Sequence, residues 1–157
     1  MGRRYTVTES DFAIQAAMDL MQIKGASGKV LEIIRWKWRP TDNSLPTAQT
    51  LKTRCRLLPA TVGDGTGGNS SPNISANDGG DAAVSFTAIA RATGKATTSG
   101  TARVYDEGGA HIYFGYDEQP EKPITVKSGE SFVLELTSAV IQGTPKISVM
   151  VEVEEIG

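Results

Sequence analysis

The chain holds one cysteine, Cys55, and one histidine, His111, among its 157 residues. A single thiol cannot close an intrachain disulfide. One thiol with one imidazole cannot supply the usual Cys/His metal sets either. Catalysis is poorly provided for as well, because no nucleophile and base stand in a recognisable pairing. His111, in "AHIYFGY", reads as a packed or surface strand residue beside Tyr113, and Cys55 as a small buried hydrophobe. No catalytic residues, no metal, no cofactor and no enzymatic activity are therefore expected. Long apolar runs are missing too, and none approaches the roughly 20 residues of a membrane-spanning helix. The opening "MGRRYTVTESDF" lacks the apolar stretch of a secretory signal. A soluble, cytoplasmically made protein without a membrane partner is the expectation.

What is present is alternation of apolar and polar residues. "RYTVTE" puts Tyr5 and Val7 on one face of a strand, while Asp11–Asp19 fits helix and strand periods about equally. "MQIKGASGKV" reads as a turn on Gly25 and Gly28. In "KVLEIIRWKWR" the period of two places Val30, Ile34, Trp36 and Trp38 together, against Leu31, Ile33, Arg35, Lys37 and Arg39. "LKTRCRLL" turns Leu51, Thr53, Cys55 and Leu57 inward. "AAVSFTAIA", "ATTSGTARVYD" and "AHIYFGYD" read as strands, the last two separated by a turn at Glu107-Gly108-Gly109. "ITVKSGESFVLEL" is a strand–turn–strand, and "KISVMVEVEE" aligns Ile147, Val149, Val151 and Val153. The pattern predicts an all-β chain: one antiparallel β-sandwich domain over residues 1–157, jelly-roll or Ig-like, of roughly eight to ten strands. Residues 1–4 are expected as an extendable N-terminal arm, with Arg3 and Arg4 as partner contacts.

The stretch "TVGDGTGGNSSPN" contains a literal G-x-G-x-x-G at Gly63, Gly65 and Gly68. A nucleotide fingerprint must close a strand and open a helix, whose N-terminal amides meet the phosphates. Here the glycines run into "NSSPNISAND", which is turn composition. The reading is a long Gly/Ser/Asn loop at about 59–81, flexible at the surface or ordered against a neighbouring subunit. Gly63, Asp64, Gly65, Gly67, Gly68 and Asn69 form the candidate interface loop. Two carboxylate groups, Asp117/Glu118/Glu121 and Asp64/Asp78/Asp81, lack the spacing of a dedicated calcium loop.

Charge is unevenly distributed. Residues 1–60 carry ten Lys/Arg against five Asp/Glu, and residues 61–157 carry six against thirteen. Were the two basic strands antiparallel neighbours, Arg35, Lys37, Arg39, Lys52, Arg54 and Arg56 would line one surface needing an acidic cover. That cover is a partner protein or the chain's own acidic strands. Nucleic acid is not expected, since the tryptophans face away from the cations and the net charge is -2.

Several features in order carry a family likeness: "YTVTESDFAIQAAMDLMQIKGASGKVLEI", "LKTRCRLLPATVGDGTGGNSSPN", "GYDEQPEKPITVKSGESFVLEL" and a terminal "VEVEEIG". This layout resembles the β-sandwich head decoration (cement) proteins of tailed bacteriophages. The resemblance implies a non-enzymatic virion protein on the outer surface of the head. It would form a homo-oligomer, a trimer in that family, that clamps the major capsid protein. Similar sandwiches occur in tail-associated and receptor- or carbohydrate-binding modules, for which Tyr113, Tyr116 and Trp38 are the aromatic candidates.

Overall fold

In a computed structural model of the chain, the described residues are 2–14, 16–41, 47–77, 83–138 and 140–157. They form thirteen strands and no helix: β1 (Arg3–Ala13), β2 (Met18–Lys24), β3 (Val30–Pro40), β4 (Thr50–Leu58), β5 (Thr61–Gly63), β6 (Asn73–Ala76), β7 (Thr87–Ala92), β8 (Thr97–Thr98), β9 (Arg103–His111), β10 (Tyr116–Glu118), β11 (Ile124–Val126), β12 (Ser131–Leu136) and β13 (Lys146–Ile156).

Two antiparallel sheets make the sandwich. Sheet A runs β10-β3-β13-β1-β6, with β11 also on β3; sheet B runs β7-β2-β12-β4-β9. The first four strands alternate between the sheets, so neighbours in sequence are not neighbours in a sheet. Between the layers lies one apolar core containing Tyr5, Val7, Trp36, Trp38, Phe132 and the valine row of β13. Strands of this composition bury the apolar face that alternation creates.

Among the described residues, four β-bulges in the two sandwich sheets set where that alternation changes phase, each adding one residue to one strand. In β3, Arg35 pairs with Glu152 and Ile33 with Val153, which leaves Ile34 unmatched. The shift turns Leu31 and Ile33 to the same side as Trp36 and Trp38, all four buried, and leaves Val30 exposed. The uniform period read from the sequence is thus corrected by one residue. In β1 the bulge lies between Glu9 and Phe12, where Asp11 takes a left-handed φ of 52°. The others fall at Leu20 in β2 and Tyr105 in β9.

The ambiguous Asp11–Asp19 segment is divided: Asp11–Ala13 finish β1 and Met18 and Asp19 open β2, with Phe12 and Ile14 buried but Ala16 exposed. Residues read as a turn, Met21–Lys24, belong to β2, whose every position but the last is buried. The expected arm is also corrected at residues 3 and 4. Arg3 and Arg4 open β1 opposite Glu155 and Glu154.

Candidate functional site

The six cations do not share a surface. β3 lies in sheet A and β4 in sheet B, so Arg35, Lys37 and Arg39 face outward on one side, and Lys52, Arg54 and Arg56 on the other. Each set meets acid from its own chain. Arg35 donates from Nε and Nη2 to Asp117 at 2.7 and 2.5 Å, and Arg39 reaches the same carboxylate at 3.3 Å. These hydrogen bonds from Arg35 hold the Asp117 carboxyl below its usual range.

On sheet B the partner is Glu135 of β12. It accepts from Arg54 at 3.0 and 2.8 Å, lies 3.0 Å from Arg56 Nε, and also takes Lys95. Burial pushes the Glu135 carboxyl up, yet the bonds from Lys95 and Arg54 and the nearby Arg56 charge outweigh it and lower the pKa. Asp19 of β2 completes the cluster, 3.6 Å from Arg56 and accepting the Ala96 amide at 2.7 Å. Desolvation dominates at this fully buried carboxyl and raises its pKa to about 6. A small outer layer roofs the cluster. β5 pairs with β8, and Ala96 packs with Leu58 and Val133 in a second apolar cluster on the outer side of sheet B.

The glycine segment belongs to that outer layer. Gln22 of β2 donates to Asp64 at 3.0 Å and accepts the Gly65 amide at 2.9 Å, while Lys24 binds Asp64 at 3.0 Å. Thr66 pairs with Gly94 and Asn69 with Ala90 through backbone bonds. Asn69 also reaches across to Glu9 of β1 at 2.8 Å, and Arg91 joins Glu9 at 2.9 Å, so this strap ties the edges of both sheets. A Cβ at Gly65 would stand 2.7 Å from the Ala92 Cβ, and one at Gly68 would run into the Ala90 carbonyl. Here glycine spacing serves close approach to β7, not phosphate. The expectation of a loop that is flexible or waits for a neighbour is corrected for residues 61–77, which are held by their own chain. Asp78 and Asp81 lie outside the described residues.

The other candidates disperse. Cys55 is buried, which pushes its thiol pKa up. Trp36 and Trp38 are buried, and Tyr116, half-buried, donates to Asp106 at 2.5 Å. This removes Trp38 from any exposed aromatic surface. Among the described residues no group of three His, Cys, Asp or Glu could hold a metal.

Exposed apolar side chains gather elsewhere, along β9 and the turn that follows it. The predicted turn at Glu107-Gly108-Gly109 is corrected: β9 runs unbroken through it, with Thr53 opposite Gly108 and Lys52 opposite Gly109. The real turn is His111–Gly115, where His111 stacks 4.7 Å from Tyr113 and 5.9 Å from Phe114. Val104 is 51%, Tyr105 46% and Phe114 75% exposed. β9 is the end strand of sheet B, and among the described residues only β4 pairs with it. Sequence reading missed this edge because "DEGGA" has hairpin-turn chemistry. The available signal was the adjacent Val104-Tyr105 pair, which alternation cannot bury on both faces.

The chain matches no known protein family, no curated protein and no solved structure.

Proposed function

We propose that this chain is a non-enzymatic structural protein that works by adhesion, self-associating and docking on a repeating protein lattice. The lattice suggested by the sequence resemblance is the major capsid shell of a tailed bacteriophage head. The observation that carries the reading is the open β9 edge, with Val104, Tyr105 and the projecting Phe114 beside it. Open edges and contiguous apolar groups mark association surfaces. The charged side chains of the outer faces, by contrast, are largely engaged within the chain. The test is co-sedimentation of the purified protein with empty capsids, read alongside density in a reconstruction of the particle. Saturable binding at a symmetry-repeated head position supports the proposal, and binding should weaken in Phe114→Ser. Protein that leaves the capsids bare at saturating concentration overturns it.

A second reading, a tail-associated or carbohydrate-binding module, is favoured by the exposed rings of Tyr113 and Phe114 on one turn. Density confined to the tail would select it.

A further inference from the structure

We infer that β9 pairs antiparallel with β9 of a second copy about a two-fold axis at Gly109, continuing sheet B across two molecules. The inference deepens the self-association part of the reading above, and its test needs no lattice.

The edge is built for pairing over its second half. Its bulge lies at Tyr105, and from Asp106 to His111 the register against β4 is regular. No lysine or proline occurs between Arg103 and His111, the residues with which exposed edges are commonly guarded. Gly108, Gly109 and Ala110 sit at the middle, small enough for another strand to lie flat against them. β9 already faces β4 on its other side, so the unused amides and carbonyls all point outward.

Self-complementarity selects the partner and the register. A two-fold at Gly109 sets Glu107 of one copy opposite His111 of the other, and the symmetry makes the pair twice. Both residues project from the outer face of sheet B, Glu107 opposite Arg54 and His111 opposite Thr50 in the β4 register. Side chains directly opposite across antiparallel strands lie about 5 Å apart, within reach of a hydrogen bond from the imidazole to the carboxylate. Each is available for the purpose. Arg54 is turned to Glu135, and Glu107 has no ion pair among the described residues. His111 Nδ1 accepts the Tyr113 amide at 3.4 Å, which leaves the Nε2–H as the ring's donor. The same register brings Tyr105 alongside the second copy's His111–Gly115 turn, covering the aromatic groups exposed in a lone chain. A two-fold edge contact is closed, so it yields a pair and not a fibre.

The test is sedimentation equilibrium of the full chain. The wild type should show a mass about twice 16.7 kDa at roughly 100 µM, a concentration suited to an interface smaller than standard. Glu107→Lys removes the acceptor and sets an ammonium against the imidazole N–H, His111→Glu sets two carboxylates opposite each other, and each change should weaken association about tenfold or more. The double variant E107K/H111E puts an ammonium opposite a carboxylate and should recover it. Hydrogen exchange checks the wild type without any variant: alternate amides between Asp106 and His111 should slow only at high concentration. A wild type monomeric at that concentration, a trimer, or an oligomer indifferent to both single changes overturns the dyad. The last two results, unlike the first, leave an assembling protein in place and fault only this edge.

Discussion

Glu135 and Asp19 show how much a single carboxyl can hold when it is sealed under another layer. Glu135 is 1% exposed and gathers Arg54, Arg56 and Lys95. Replacing it with Gln keeps an acceptor but leaves three cations around a neutral group, and breaking a buried pair costs about 3–5 kcal/mol. Urea unfolding should therefore show E135Q with a midpoint far below the wild type at unchanged slope. Asp19 works in the opposite sense with pH. Its folded pKa of about 6 lies above the unfolded value of 3.8, so the folded state holds an extra proton between them. The resulting stabilisation is complete below the unfolded value and disappears as pH rises through about 6. Glu135, whose pKa is lowered, stabilises above the ordinary carboxylate range and ceases to do so as pH falls through it. Asp19→Asn preserves the acceptor for the Ala96 amide. It should remove the decline in stability between about pH 4 and 6 while keeping the acid-side loss, measured by thermal unfolding across that window. An unchanged profile would mean Asp19 is not the group that titrates.

At the scale of elements, phase matters more than composition. Ile34 is the extra residue of the β3 bulge, and Trp36 and Trp38 point inward only because it is there. A one-residue slip transfers every later side chain to the other face. Deleting Ile34 should therefore move both tryptophans toward water, seen as a red-shifted emission and a collapsed near-ultraviolet spectrum. Ile34→Ala, which keeps the count, should retain native spectra at a modest cost in stability. The same reasoning separates what the sequence disclosed from what it hid. Inward rows on β4 and β13 were legible because one face is buried and neither strand carries a bulge of its own, the extra residues lying in their partners. β2 was not, since "MDLMQIK" is covered on both faces and has no alternation to read. The basic residues were correctly placed on outer faces. Their partition between two sheets was hidden, because strands consecutive in a chain usually pair and these do not. β9 was broken in two by glycines that normally mark turns, although here Gly108 makes room for the Tyr116 ring.

Over the whole molecule, the charge separation along the chain is undone by folding. Arg4 meets Glu154, Arg35 meets Asp117, and Arg54 meets Glu135, each joining the basic first third to the acidic remainder. Attraction that the sequence offers for head-to-tail contact between copies is thus spent within one copy. This shifts the weight of any assembly onto the open β9 edge and its aromatic turn. The same long reach governs how the chain must fold. β1 pairs with β13 and β4 with β12, so strands from opposite ends of the sequence have to meet before either sheet is stable. Loop-closure entropy is then lost early, and sandwiches dominated by such pairings fold in roughly milliseconds to seconds. Trp36 and Trp38, both within the core, supply the signal. Stopped-flow refolding from urea, followed by tryptophan emission, should give its main phase in that range. Ionic strength should slow it, because opposite charge on distant segments draws them together in the unfolded chain and salt screens that attraction. A main phase in microseconds, or one indifferent to salt, would place the rate-limiting step in local structure instead.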